Sequence, residues 1–173
     1  MRVVALDGFR SAWAESLIGE HFGSTLVVTR GRLHDVAKLP GLVAVEEERP
    51  LGVIYHRCGE DSCEVVAIAV SEPGHGVGRT LVTGLGDLAA TQGCRRLWLV
   101  TTNDNLSAQR FYSALGFSLV AVHSGAVTQA RALKPEIPVL GEAWVPQLTP
   151  ANSPRLMGLS CEDERSCAET ACI

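Results

Sequence analysis

Short apolar runs bounded by turn residues dominate the first half of the chain. Each is rich in Val, Ile or Leu, as β-strands are, and they lie at 1–6, 25–29, 42–47, 51–57 and 64–70. The last run is apolar at every position after its first, which favours a strand covered on both faces in the middle of a sheet. Between the first two runs, apolar residues from Gly8 to His21 recur at helical spacing, and Asp7 is placed to cap that helix. Hairpin turns are predicted at 48–50 and 59–62.

The second half of the chain alternates helical and strand patterns. Apolar residues from 77 to 89 recur at helical spacing, and Gly93 is a typical C-terminal stop. A buried strand, a helix and a further strand are predicted next, at 96–102, 105–115 and 117–123. Strands and helices in this order predict an α/β fold whose sheet has mixed strand directions.

The C-terminal part of the chain has a different composition. After about position 142, Pro, Ser, Thr, Asn and Cys accumulate and the apolar periodicity fades. We therefore predict a domain over residues 1–142 and an atypical tail over 143–173. Residues 150–173 are expected to be poorly ordered or loosely docked.

Length, charge and hydropathy narrow the class of protein. The 173 residues (18.4 kDa) suit one domain that buries a core. A net charge of −4 and a pI near 5.7 provide no basic surface, so we expect no nucleic-acid partner. No apolar run approaches the roughly 20 residues of a membrane helix, and the start resembles no signal peptide. We therefore expect a cytoplasmic protein without a membrane partner.

The six cysteines do not form the CxxC pairs of zinc or redox sites, so no metal is expected. Cys58 and Cys63 flank the predicted turn at 59–62, which leaves a cross-strand pair open. Free thiols are favoured, because a cytoplasmic environment keeps cysteines reduced.

The stretch SEPGHGVGRT, residues 71–80, joins the most apolar run to the helix that follows it. Glycines let consecutive backbone N–H groups point at one anion, and a helix N-terminus attracts negative charge. Residues 75–80 therefore predict an anion site, to which Arg79 and Thr80 add side-chain donors. A tight turn with glycines for packing alone is the alternative. The spacing excludes a dinucleotide fingerprint, which needs a third glycine and an acid at the end of the next strand.

A second motif follows the strand predicted at 96–102. The segment from Asn105 to Phe117 reads NLSAQRFYSALGF, and Asn105, Ala108 and Tyr112 fall on one helical face. The small alanine between two polar side chains leaves a groove for a slender chain. Together with the glycine turn, this segment resembles the GNAT superfamily of acetyl-CoA-dependent N-acetyltransferases. The fixed positions that match the family pattern are Gly76, Gly78, Asn105, Ala108, Tyr112, Gly116 and Phe117.

The resemblance implies the GNAT acyltransferase fold over residues 1–142, with a mixed, mostly antiparallel central sheet flanked by helices. It also implies acetyl-CoA (coenzyme A) as the acyl-donor cosubstrate. In this family an amine attacks the thioester directly, and Tyr112 is the expected general acid that protonates the departing thiolate. Backbone N–H groups at 68–70 would polarise the acetyl carbonyl. The expected cofactor-binding residues are Ile68, Ala69, Val70, His75, Gly76, Val77, Gly78, Arg79, Thr80, Asn105, Ala108 and Phe111.

The expected function is acetyl transfer to a primary amine of a small molecule or an amino-acid-like acceptor. A non-catalytic module that binds or senses acyl-CoA is the alternative, and an acyl group other than acetyl is open. The sequence makes no choice among the candidate general bases, which are Glu46, Glu47, His56 and Glu64. Dimers are common in this fold, so a homodimer is open as well.

Two features depart from the family pattern. The first position of the turn, which is Gln or Arg in the family, is Pro73 here. Because the cradle is mainly backbone, pyrophosphate binding should survive with one side-chain contact fewer. The family's closing strand would fall after Pro138, where Pro146, Pro150 and Pro154 predict a weak strand at best.

Overall fold

The computed structural model of the chain describes residues 1–137 and 143–148; for residues 143–145 and Leu148 it describes the backbone alone. The predicted tail beyond Leu148 lies outside the described residues. The described strands are β1 (Arg2–Ala5), β2 (Leu26–Thr29), β3 (Arg32–Asp35), β4 (Gly41–Glu46), β5 (Arg49–Cys58), β6 (Ser62–Val70), β7 (Arg96–Leu99), β8 (Thr101–Thr102), β9 (Ser118–His123) and β10 (Ala143–Leu148). The described helices are α1 (Gly8–Phe22), α2 (Val77–Thr91), α3 (Leu106–Ala114) and α4 (Ala126–Leu133), with a 3₁₀ turn at Val36–Lys38.

Eight of these strands form one sheet in the order β1, β4, β5, β6, β7, β10 and β8, with β9 paired to β10. Every described pairing in it is antiparallel except that of β6 with β7. Strands β2 and β3 form a separate two-stranded hairpin. The expected α/β fold with a mixed, mostly antiparallel sheet is confirmed.

Each face of the large sheet is covered by its own hydrophobic cluster. On one face α2 and α3 pack through residues such as Leu81 and Tyr112, and on the other α1 packs through Leu17 and Ile18. Strands β4, β5 and β6 supply side chains to both clusters, which explains their nearly unbroken apolar sequence. Within the described part of the chain, no helix combines the length and the apolar character needed to cross a bilayer.

Helix α1 begins where the sequence predicts and ends one residue later than predicted, at Phe22. The Asp7 carboxylate accepts a hydrogen bond from the Arg10 backbone N–H at 3.0 Å. At the other end Gly23 adopts a left-handed conformation and its N–H donates to the Gly19 carbonyl oxygen. Phe9 is 90% exposed despite its helical spacing, because the buried stripe of the helix begins only at Ala14.

Strand β10 lies inside the stretch that the sequence assigns to the tail. Its backbone pairs with β7 and β8 on one side and with β9 on the other. Pro146 lies at a register shift against β9 and between the segments that pair with β7 and β8. A residue without an N–H group is tolerated where the ladder is interrupted, so this proline does not prevent the closing strand.

Strands β4 and β5 are joined by a two-residue turn at Glu47 and Glu48, slightly earlier than the predicted turn at 48–50. Both residues have positive φ angles, 48° and 68°, a region that costs a non-glycine residue about 1–2 kcal/mol. Glu48 compensates through ion pairs with Arg2 and Arg10. Among the described residues, Glu47 forms no side-chain hydrogen bond or ion pair.

We predict that Glu47→Asn stabilises the protein by about 0.5–1 kcal/mol, because asparagine tolerates the left-handed conformation of this turn. Thermal unfolding should show a midpoint higher by roughly 1–4 °C. The control is Glu46→Asn, one residue earlier in extended backbone, which should not stabilise. An equal change in the unfolding midpoint of the two variants would contradict the prediction.

Candidate functional site

A cleft opens where the two central strands separate. Strands β6 and β7 are paired over four residues each, Ser62–Val65 and Arg96–Leu99, and not beyond them in the described chain. A bulge in the β5–β6 ladder falls at Val66, and a bulge bends and twists its strand. The strands therefore diverge, and between them lies a cleft of about 600 Å³. The side of β6 that faces this cleft has no neighbouring strand after Val65 among the described residues.

Most of the residues predicted from the sequence come together around the cleft. Those that line it are Ile68, Ala69, Val70, Gly76, Val77, Gly78, Arg79, Asn105, Ala108, Phe111 and Tyr112. His75 is exposed and, like Thr80, is not part of the lining. The Thr80 hydroxyl donates to the Gly76 carbonyl oxygen at 3.1 Å, so it is engaged inside its own helix.

The start of α2 forms one end of the cleft. Gly74 and Gly76 have positive φ angles of 91° and 75°. A Cβ atom on Gly76 would meet no atom within 4 Å, so space is open there for a ligand. The first N–H groups of a helix lack intrahelical partners and its dipole favours negative charge. The residues present therefore fit a phosphate group at this end.

Gly78 serves a different purpose from the two preceding glycines. It lies inside α2 without a positive φ, and a Cβ atom there would come within 3.1 Å of the Phe111 ring. The left-handed conformation expected of the turn is therefore found at Gly74 and Gly76. Gly78 instead allows α2 and α3 to approach each other across the cleft.

Helix α3 presents Asn105, Ala108 and Tyr112 to the cleft, as their spacing predicts. The Asn105 side chain caps the helix, because its Oδ1 atom accepts a hydrogen bond from the Ala108 N–H at 3.1 Å. The asparagine therefore fixes the start of the helix, and its amide N–H₂ group is not used in that bond.

Tyr112 is only 5% exposed and is held between two aromatic rings. Its ring centroid lies 5.0 Å from that of Phe111 and 5.3 Å from that of Phe117. Burial raises the pKa of the Tyr112 hydroxyl above its ordinary value of 10. The hydroxyl therefore carries its proton at neutral pH and can donate it.

Gly52 is a site residue that the sequence analysis missed. It lies in the buried part of β5, and a Cβ atom there would approach the Val77 side chain to 2.9 Å and the Ala69 carbonyl oxygen to 3.0 Å. Only a glycine lets the first turn of α2 lie this close to the sheet. A glycine inside a strand is itself a signal of close backbone approach, and this signal was available in the sequence.

The four candidate bases do not line the cleft or the second cavity described below. Glu46 and Glu47 are exposed at the β4–β5 turn. Glu64 is 1% exposed, and one of its carboxylate oxygens accepts a hydrogen bond from Arg57 at 3.2 Å. The other oxygen has no partner among the described residues. Burial lowers the pKa of the nearby His34, an effect that the Glu64 charge opposes.

His56 and the two cysteines of the β5–β6 hairpin form a separate buried group. Cys58 and Cys63 are directly opposite across the hairpin and form a disulfide. The expectation of free thiols is therefore wrong for this pair, because the antiparallel register brings the two side chains together. Burial lowers the pKa of His56. Cys94 is a free and buried thiol.

A second cavity of about 530 Å³ lies beside the cleft, and Val100 lines both. Its walls come from the β2–β3 hairpin, the end of β9 and helix α4. The sequence analysis did not predict β3 or α4, so this cavity could not be located from the motifs. Its polar side chains belong to Arg30, Thr102, His123, Ser124 and Gln129.

We predict that Gly52→Ala both destabilises the protein and weakens its binding of a phosphate-bearing ligand. The added methyl group overlaps Val77 and should cost about 1–3 kcal/mol as overpacking, while it displaces the first turn of α2. Thermal unfolding and calorimetric titration with coenzyme A measure the two effects. The control is Gly86→Ala in helix α2, where a Cβ atom meets nothing within 4 Å. This variant should leave coenzyme A binding unchanged. If Gly52→Ala destabilises the protein but leaves its affinity for coenzyme A unaltered, Gly52 does not shape the cleft.

Known proteins are similar to this chain in sequence and in fold. The chain is 32% identical over 124 residues to the protein YdhI of Bacillus subtilis (strain 168), covering 71% of this chain and 78% of YdhI. Its fold is similar to the crystal structure of nourseothricin acetyltransferase, with a TM-score of 0.65 and 20% identity over 86% of this chain and 97% of that one.

A GNAT family acetyltransferase from Elizabethkingia anophelis, solved with acetyl-CoA bound, shares the fold with a TM-score of 0.56. The identity is 15%, and the match covers 64% of this chain and 76% of that one. Residues 6–117, well over half of the chain, match the family described as acetyltransferase (GNAT). Because this match covers the glycine turn, the diverging strands and the α3 motif, the chain belongs to the GNAT acetyltransferase family and is an acyltransferase.

Proposed function

We propose that the protein is an N-acetyltransferase that transfers the acetyl group of acetyl-CoA to a primary amine of a small molecule or an amino-acid-like acceptor, with Tyr112 as the general acid. The observation that carries the proposal is the buried Tyr112, which lines the cleft beside the unpaired edge of β6. Nourseothricin acetyltransferase, one of the structures with this fold, is named for acetylation of a small molecule.

The cleft is polar at the start of α2 and mostly apolar elsewhere. A coenzyme A thioester likewise has phosphate groups followed by a slender chain that ends in the thioester. The start of α2 offers backbone N–H groups to phosphate, and the small apolar side chains of Ala67, Ala69 and Ala108 are among those that line the cleft. The bound thioester supplies an activated acetyl group. Along β6, backbone N–H groups after Val65 that face the cleft are free to hold the ligand and to polarise a carbonyl oxygen.

Tyr112 is suited to donate a proton and not to accept one. Its raised pKa keeps the hydroxyl protonated, and the rings of Phe111 and Phe117 restrict its position. A positioned acid of this kind contributes about 10²–10⁴-fold to a rate. The proton passes from the Tyr112 hydroxyl to the departing thiolate, and the proton that the amine loses on acylation returns Tyr112 to its neutral form.

We assign the binding site of the acceptor amine to the second cavity. It adjoins the cleft at Val100, so an amine bound there approaches the acetyl group from the side opposite to α2 and α3. Arg30, Thr102 and Gln129 provide hydrogen-bonding groups among apolar neighbours such as Val127. Pockets of this kind, mostly apolar with a few polar groups, are typical of small-molecule sites.

The proposal is tested with a panel of primary amines and acetyl-CoA, with thiol release as the measurement. Turnover is expected for at least one class of small amine. Ala130→Phe, which fills the second cavity, should remove this turnover while coenzyme A still binds. Ala132→Phe, on the same helix but outside the cavity lining, is the control and should keep it. Tight coenzyme A binding with no turnover on the whole panel would favour the binding module.

We predict that Tyr112→Phe lowers kcat by about 10²-fold or more. Coenzyme A affinity should change less than about twofold, because the aromatic packing with Phe111 and Phe117 is kept. Steady-state kinetics and calorimetric titration measure the two quantities. An unchanged kcat would remove Tyr112 from the role of general acid.

Tyr55 provides the matched control for this substitution. It is the other tyrosine of the chain, it is 1% exposed, and it packs in the cluster on the opposite face of the sheet. Its hydroxyl has no hydrogen-bond partner among the described residues, and burial raises its pKa to about 12. Tyr55→Phe should leave kcat and coenzyme A affinity unchanged. A fall in kcat for both variants would indicate a packing effect.

A further inference from the structure

The closed end of the β5–β6 hairpin gathers three metal-ligating side chains. His56 Nδ1 lies 3.5 Å from Cys58 Sγ and 3.9 Å from Cys63 Sγ. All three atoms lie within 4.8 Å of one another. His56 is 4% exposed and Cys63 is fully buried, whereas Cys58 is half-buried. The group therefore has one side open to water.

This group has no part in the site described above. None of the three side chains lines the cleft or the second cavity. Cys63 is a member of the hydrophobic cluster that includes α2, and Cys58 packs against that cluster. The register explains their meeting: His56 and Cys58 are two apart in β5, and Cys63 is directly opposite Cys58 in β6.

We propose that His56, Cys58 and Cys63 form a zinc site once the disulfide is reduced. An imidazole nitrogen and two thiolates are the donor set that zinc takes in Cys₂His sites with an open fourth position. Zn–S bonds of about 2.3 Å and Zn–N bonds of about 2.0 Å in a tetrahedron place neighbouring ligand atoms roughly 3.5–3.8 Å apart. The two distances from His56 to the sulfurs are already close to this range.

Charge balance favours a divalent cation over a monovalent one. Two thiolates and a neutral imidazole carry a charge of −2, which Zn²⁺ cancels. A residual charge in this buried position would be costly, and Cu⁺ would leave one. Water reaches the fourth position through the half-buried side at Cys58. Soft thiolate ligands disfavour Mg²⁺ and Ca²⁺ at this place.

The oxidised and zinc-bound forms exclude each other. A dithiol reductant converts the Cys58–Cys63 disulfide into two thiols and is itself oxidised to a disulfide, so two electrons and two protons pass to the protein. Zinc binding then releases the two thiol protons to solvent. Reoxidation by a disulfide oxidant reverses this: the two thiolates form the S–S bond, two electrons reduce the oxidant to a dithiol, and the metal loses two of its ligands and is released. The sequence spacing alone predicted no metal, because the ligands come from two strands and not from a CxxC pair.

Cobalt(II) is the probe for the site, with Zn²⁺ in competition. The full chain is used with Cys161, Cys167 and Cys172 replaced by serine, so that thiols at 161–172 do not contribute. After reduction and anaerobic removal of the reductant, one equivalent of Co²⁺ should bind and show thiolate-to-cobalt charge-transfer absorption. One equivalent of Zn²⁺ should displace it. The disulfide form should bind none.

Single substitutions locate the ligands. Cobalt binding should be weakened by more than about tenfold in each of Cys58→Ser, Cys63→Ser and His56→Gln. Replacing a residue that only supports a metal ligand already costs about tenfold in affinity. Cys94→Ser removes a buried thiol outside the group and should bind normally. Coenzyme A binding at the separate cleft reports that each variant is folded. Failure of the folded, reduced protein to take up Co²⁺ or Zn²⁺, or equal uptake by the ligand variants, would overturn the proposal.

Discussion

The limited pairing between β6 and β7 is the constraint on which the rest of the structure depends. Two parallel strands in the middle of a sheet would ordinarily stay hydrogen-bonded along their length. Here the ladder stops after Val65 and Leu99, and the bulge at Val66 turns β6 away. The separation leaves an unpaired strand edge inside the molecule. In an ordinary sheet such an edge is a liability, but here it borders the cleft.

Close packing around this opening gives the cleft its shape. Gly52 lets the first turn of α2 lie against the sheet, and Gly78 lets the Phe111 ring lie against α2. Both glycines act by leaving out a side chain at a point of contact, whereas Gly76 acts through its backbone conformation. The same packing buries Tyr112, and burial keeps its proton in place. The shape of the cleft and the protonated state of Tyr112 therefore have one structural origin.

Local sequence signals predicted the elements that carry strong periodicity or clear caps. Asp7 caps α1, and the apolar run over 64–70 became the central strand β6. The signals failed where tertiary context outweighed local preference. Strand β10 forms despite Pro146, because β7, β8 and β9 supply its partners and the proline lies at a break in the ladder. Strand β3 and helix α4 have only four and eight residues, so each is too short for a clear periodicity.

The sequence by itself determined the family, the order of the main elements and a set of residues that line the cleft. It could do so because these residues follow one another within a turn and a helix, where spacing fixes geometry. Only the tertiary structure brought Gly52 under Val77, made the second cavity adjoin the cleft at Val100, and placed His56 beside Cys58 and Cys63. These contacts join residues from different strands and helices. They depend on sheet register and on the divergence of β6 and β7, which no local pattern encodes.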